Sequence, residues 1–146
     1  MEKESKMKEK STNELLHSLK EADSFKRVYA ETQPYLINQS VKIQLGILLE
    51  KTAKTKAAVI KAAAISEATG YQYFDGKRIP PRDKMIALIL GFSLTLAQAN
   101  ELLKKTGFGM LYAKHERDAV FIYGISHQLS VYEVNDLLYE EGLETL

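Results

Sequence analysis

Residues 59–81 read VIKAAAISEATGYQYFDGKRIPP, and they carry the clearest indication of the fold in this 146-residue chain. The stretch opens with apolar residues that recur at the spacing of one helix face, Val59, Ile60 and Ala63. Thr55 precedes them and is a favourable N-cap residue, so a helix is predicted over residues 55–64. Ile65 and Ser66 then interrupt the apolar pattern, which predicts a turn at this point.

The second half of the stretch predicts a shorter helix with an abrupt end. Ser66 is a candidate N-cap for a helix that runs through Phe74. Gly76 is typical of a helix C-terminus, and residues 77–81 have the composition of a turn. A further apolar-periodic helix is predicted over residues 39–52. Three consecutive helices separated by turns of a few residues form the helix-turn-helix arrangement.

Over the whole chain, periodicity and caps predict an all-α protein in four parts. Residues 1–10 are almost all Lys, Glu, Ser and Met, which predicts a disordered N-terminus. Residues 11–38 form an N-terminal helical segment, residues 39–107 the core, and residues 108–146 a C-terminal helical hairpin packed on the core. Beyond the opening stretch, helices are expected over about 82–92, 95–107, 115–127 and 130–142, with capping boxes at Thr95 and Ser130.

An internal repeat with a period of 35 residues supports these boundaries. Matching positions are Arg82-Asp83 with Arg117-Asp118, Asn100 to Leu103 with Asn135 to Leu138, Gly107 with Gly142, and Leu111 with Leu146. The period fits one helical hairpin. We expect each Arg-Asp pair in the first turn of the leading helix of its unit.

The composition argues against most enzyme and metal chemistry. The chain has no cysteine and three histidines, which leaves no disulfide or thiolate site and little for a metal centre. No nucleophile–base pair and no glycine-rich phosphate loop is visible, so no catalytic residue, metal or cofactor is predicted. The sequence contains neither a membrane-spanning apolar run nor a secretory signal, which predicts a cytoplasmic protein.

Charge is segregated along the chain although the net charge is only +1. Residues 42–84 contain nine Lys/Arg and four Asp/Glu, whereas residues 111–146 contain two Lys/Arg and seven Asp/Glu. A basic middle can lie against phosphates while an acidic tail stays away from them. This distribution allows a nucleic-acid partner such as double-stranded DNA, although charge clusters of this size also occur on solvated faces.

A helix-turn-helix protein reads bases with the solvent-facing side of its second motif helix. Here that helix spans about 66–74, and its predicted base-reading residues are Glu67, Ala68, Thr69, Tyr71 and Gln72. The predicted phosphate-binding residues flank this face or begin its helix: Lys56, Ser66, Lys77, Arg78 and Arg82.

At these positions the chain resembles the Xre/Cro-type helix-turn-helix family over roughly residues 40–106. The matching residues are Val59-Ile60, Ile65-Ser66, Tyr73, Gly76-Lys77-Arg78 and Pro80. Residues 71–83 are similar to a bacterial, Firmicutes-like subgroup that carries an additional helical hairpin. The resemblance implies a lambda-repressor-like five-helix core and a sequence-specific transcriptional regulator. Ala64 stands where the family has a small turn residue, Ile60 replaces its usual Ala, and Phe74 its usual acidic residue. We expect Ile60 to alter the crossing of the two motif helices.

Two questions stay open at the level of sequence. The acidic hairpin is a candidate surface for a homodimer or a protein partner, or its aromatic residues fill the hairpin core: Phe121, Tyr123, Tyr132 and Tyr139. The alternative to DNA binding is a protein-interaction module that keeps the helix-turn-helix fold. Glu67 on the reading face and the small net charge favour that alternative.

Overall fold

The structure, a computed structural model, describes residues 11–35 and 37–146, and every regular element in these ranges is helical. Residues 1–10, for which disorder is predicted, lie outside the described residues. The prediction of an all-α chain is confirmed for the rest. The helices are α1 Thr12–Glu21, α2 Phe25–Thr32, a 3-10 turn Gln33–Tyr35, α3 Ile37–Thr52, α4 Lys56–Ala62, α5 Glu67–Phe74, α6 Arg82–Phe92, α7 Leu96–Lys105, α8 Glu116–Ser126 and α9 Val131–Glu140.

Side-chain caps mark the start of several of these helices. Thr95 and Ser130 form the predicted capping boxes, in which Gln98 and Glu133 accept from the backbone N–H of the cap residue at 2.9 Å and 3.0 Å. The hydroxyls of Ser11, Thr55 and Ser66 each accept a hydrogen bond from the first turn of their helices.

Helix α6 lies at the centre of the core. Its residues 85–92 are all buried, and it packs against α4, α7, α8 and α9. Gly91 allows the closest approach, because a Cβ there would lie 2.8 Å from the carbonyl oxygen of Val59 on α4. The buried apolar cluster extends without a break from Val41 on α3 to Leu138 on α9. The C-terminal hairpin therefore shares one core with the preceding helices.

The 35-residue repeat has a structural counterpart in two hairpins, α6–α7 and α8–α9. Equivalent residues make equivalent bonds: Asn100 Oδ1 accepts from the Leu111 N–H at 2.9 Å, and Asn135 Oδ1 accepts from the Leu146 N–H at 2.7 Å. The equivalent positions 93 and 128, which lie just beyond the ends of α6 and α8, have left-handed φ values of 58° and 55°. The repeat thus fixes both the helices and the loops that follow them.

The two hairpins are joined by a reciprocal pair of ion bridges. Arg82 at the start of α6 donates to both carboxylate oxygens of Asp118 on α8, at 2.8 Å and 2.9 Å. Arg117 on α8 donates in turn to both oxygens of Asp83 on α6, at 3.0 Å. Each hairpin thus contributes one arginine and one aspartate to the two bridges, as each chain does in an isologous interface between two identical chains.

The two bridges differ in burial. The Asp118 side chain is 6% exposed, whereas that of Asp83 is 39% exposed. Burial would raise the pKa of Asp118, but hydrogen bonds from Arg82 and from the Tyr112 N–H outweigh it and hold the pKa below its ordinary value. The hydrogen bond to Asp118 also raises the pKa of Arg82, despite the opposing effect of burial.

We expect Asp118→Asn to lower the free energy of unfolding by about 2–4 kcal/mol at neutral pH, because it removes the charge of a buried carboxylate that binds Arg82 and accepts from the Tyr112 N–H. The matched variant Asp83→Asn, which breaks the more exposed bridge, should cost about 1 kcal/mol or less. Urea unfolding of both variants measures the difference. Equal losses would contradict the assignment of the stronger bridge to Asp118.

The difference in stability between the wild type and Asp118→Asn should also depend on pH. Since the folded-state pKa of Asp118 is lowered, its stabilisation is complete above the unfolded pKa of about 3.9 and disappears as the pH falls through the lower folded value. The gap between the wild type and Asp118→Asn should therefore be constant near neutrality and shrink below about pH 4. Unfolding midpoints measured along a pH series test this.

Candidate nucleic-acid interface

The turn between α4 and α5 has a defined backbone geometry. Ala64 adopts a left-handed φ of 56°, and the Ile65 N–H donates to the Ile60 carbonyl at 3.3 Å. Ile65 is buried, which anchors the turn, and Ser66 begins the next helix. Helix α4 thus ends with a left-handed residue after its C-cap Ala63, and only Ile65 separates that residue from the N-cap Ser66.

Ile60 and Gly70 set how closely α4 and α5 approach each other. A Cβ at Gly70 would lie 2.6–2.8 Å from three side-chain carbons of Ile60, which is itself buried. The bulk of Ile60 is therefore accommodated by the absence of a side chain at position 70. The expected change in the crossing of the two helices stays a prediction.

The outward side of α5 exposes several of the predicted base-reading residues. Glu67, Ala68 and Gln72 are exposed, and Thr69 is half-buried. Tyr71 is also half-buried and packs against the core, so it offers less of its side chain to a ligand than predicted. On the opposite side of the helix, Gly70, Tyr73 and Phe74 are buried.

Packing of its C-terminal aromatic residues holds α5 in place. The Phe74 ring lies 6.2 Å from that of Phe92 at the end of α6. Burial raises the pKa of the Tyr73 phenol, against the opposing effect of the nearby Arg78 cation. Both aromatic residues thus anchor the helix to the core.

Two basic residues, Lys77 and Arg78, follow the tight turn that ends α5. Gly76 has a φ of 73°, and the Lys77 N–H donates to the Gln72 carbonyl at 2.9 Å. Lys77 and Arg78 are exposed just beyond this bond. Their backbone is therefore fixed while their side chains reach solvent.

Lys56 and Ser66 lie at the starts of the two helices. Lys56 Nζ is 3.7 Å from an oxygen of Asp75, and both side chains are 43% exposed. An ion pair this exposed is worth about 1 kcal/mol or less, so Lys56 can exchange partners readily. The Ser66 hydroxyl accepts from the Thr69 N–H at 3.4 Å and caps α5.

The structure gives Arg82 a different role from the predicted phosphate contact. Besides Asp118, its guanidinium donates to the carbonyl oxygens of Gly109 and Met110 at 3.0–3.3 Å. Because these bonds use its donors inside the chain, we leave Arg82 out of the phosphate-binding set. Lys54, which the sequence did not single out, donates to the Phe92 carbonyl at 2.8 Å and caps α6.

The hairpin aromatics divide into two groups. Phe121 is fully buried, as one of the two readings of the sequence expected. Tyr123, Tyr132 and Tyr139 are 51%, 65% and 80% exposed. They are available for contacts that the described residues do not make.

Comparisons with protein-family models, with curated proteins and with solved structures found no match. Among residues 11–35 and 37–146, no three His, Cys, Asp or Glu side chains come together as metal ligands. In the same part of the chain, no helix has the length and apolar character to cross a membrane.

We expect Gly70→Ala to lower the stability of the protein although alanine favours helices. The propensity gain of about 1 kcal/mol is outweighed by overpacking of about 1–3 kcal/mol against Ile60. In an Ile60→Ala background, where that side chain is absent, the same Gly70→Ala substitution should become neutral or stabilising. Chemical unfolding of the four proteins of this cycle tests the sign change. Equal destabilisation in both backgrounds would show that Ile60 is not the obstacle.

Proposed function

We propose that α3–α7 form a lambda-repressor-like helix-turn-helix core and that this protein is a sequence-specific DNA-binding transcriptional regulator. The observation that carries the proposal is the placement of α5. One side of this short helix is packed into the core, while Glu67, Ala68 and Gln72 on the other side are exposed. A reading helix in the major groove needs this combination of a rigid inner face and a polar outer face.

Phosphate contacts in the proposal come from both ends of the helix pair. Lys77 and Arg78 leave the tight stop after α5, and Lys56 stands at the start of α4. Cations on either side of a reading helix set its register on the duplex without reading sequence. Ser66 adds the N-terminal end of α5, where the helix dipole favours a negative charge.

Base contacts are assigned to the exposed residues of α5. Gln72 carries the donor and the acceptor that adenine requires, Glu67 can accept from cytosine N4, and Ala68 and Thr69 suit a thymine methyl group. Tyr71 is a minor member of this set because it is half-buried. Specificity is therefore expected to depend most on Gln72 and Glu67.

Fluorescence-anisotropy titration of selected and random duplexes from about 50 to 200 mM salt tests the proposal. The selected duplex should bind more tightly, with affinity falling as salt rises. Lys77→Ala and Arg78→Ala should each make the slope of log K against log salt shallower by about 0.9. Lys104→Ala is the matched control, since Lys104 is an exposed residue of α7, which packs on α3, α6 and α8. A folded protein that binds no duplex at low salt would refute the proposal.

A second variant separates reading from simple attraction. Gln72→Ala should reduce the preference for the selected duplex by about 1–3 kcal/mol, because a bidentate base contact is lost. Binding to random duplex and its salt slope should stay unchanged, since no charge is removed. Competition titrations with single base-pair changes would locate the contact. An equal loss on both duplexes would mean that Gln72 is not a base reader.

The second candidate function is a protein-interaction module that retains the same helices. Two acidic residues favour it: Glu67 lies on the exposed face, and Asp75 partly neutralises Lys56. Asp75→Asn discriminates between the candidates. It should strengthen DNA binding if Lys56 contacts phosphate, and should leave a chain without DNA affinity unchanged.

A further inference from the structure

The first two helices expose an apolar face. Helix α1 buries none of its residues, and its Leu16 and Leu19 are 47% and 45% exposed. On α2, Phe25 and Tyr29 are 71% and 45% exposed, with ring centroids 5.6 Å apart. Helices of ten and eight residues gain most of their stability from packing an apolar face. Such a face therefore indicates a partner.

The chain itself offers little to cover this face. The four side chains keep these exposures with all other described residues in place. The ten residues that precede α1 in the sequence contain only two apolar residues, Met1 and Met7, among Lys, Glu and Ser. An apolar occupant must come from outside this segment.

Charge favours a second copy of the chain as that occupant. A two-fold interface brings a surface against itself, so a strongly charged surface opposes it. Residues 42–84 carry a net charge of +5 and residues 111–146 one of −5. Residues 11–35 contain three Lys/Arg and four Asp/Glu, a net charge of only −1. Of the three regions, this one repels its own copy least.

The repeat removes another self-association site from consideration. The α6–α7 hairpin has a surface that fits a similar hairpin with a reciprocal Arg-Asp pair, but α8–α9 of the same chain already fills it. A second copy cannot dock there while the chain is folded. The α1–α2 face remains open.

We propose that the α1–α2 hairpin is a homodimer interface, in which it pairs with the same hairpin of a second copy. Leu16, Leu19, Phe25 and Tyr29 of both copies form its apolar centre. Val28 and Thr32 continue the stripe of α2 that begins with Phe25 and Tyr29 and are themselves buried, so the chain covers only part of that stripe. This interface does not rest on DNA binding and is distinct from the acidic C-terminal hairpin.

Analytical ultracentrifugation of the full chain over a concentration series tests the interface. The wild type should reach twice the mass of the chain, and Leu16→Glu/Phe25→Glu should weaken dimerisation by at least about 100-fold. Both residues are exposed in the single chain, so the helical circular dichroism and the urea midpoint of the monomer should be kept. The matched control, Tyr132→Glu/Tyr139→Glu, changes two exposed aromatic residues on α9 and should dimerise like the wild type.

Cross-linking locates the contact independently, because the chain contains no cysteine. Ala22→Cys, at the exposed end of α1, should give a covalent dimer with a short bifunctional maleimide, whereas Ala119→Cys, exposed on α8, should not. A wild type that stays monomeric up to about 0.1 mM would overturn the proposal. So would a dimer that persists in Leu16→Glu/Phe25→Glu, or a monomer whose α1–α2 face binds phosphatidylcholine–phosphatidylglycerol vesicles instead.

Discussion

The bridge between Arg82 and Asp118 connects parts of this molecule that lie far apart in the chain. Arg82 is the first residue of α6, the helix on which α4, α7, α8 and α9 all pack. Its guanidinium also binds the carbonyls of Gly109 and Met110, where the first hairpin unit ends. One side chain therefore ties the central helix, the loop between the hairpins and the C-terminal hairpin together. Since a bidentate arginine–carboxylate pair is directional, it fixes orientation as well as proximity.

This pairing also shapes the electrostatics of the chain. The acidic C-terminal region and the basic middle region are joined by two ion pairs, each of which takes one partner from each region. Lys77 and Arg78 lie in the basic region, residues 42–84, just after α5. The small net charge of the chain therefore understates the electrostatic field near these two residues.

The sequence was sufficient to predict most helix boundaries, because capping residues act locally. The caps Thr95 and Ser130 are recognised from the three residues that follow each of them, and the helix end at Gly76 is recognised from its neighbours. The repeat also placed both Arg-Asp pairs in first turns. It could not show that they bond crosswise, since that depends on how two hairpins pack. For the same reason Arg82 was assigned to phosphate, although its partner lies 36 positions away in the chain.

The contact between Ile60 and Gly70 has a consequence for engineering. Under the proposed function, α5 is the helix whose exchange would change binding specificity. In this scaffold a donor helix must bring a glycine at its fourth position, because the space that a Cβ needs there is occupied by Ile60 of the host. Positions 67, 68 and 72 point to solvent and can be randomised without touching the core. A library restricted to those three positions therefore keeps the host fold, whereas a whole-helix graft is compatible only with donors that share the glycine.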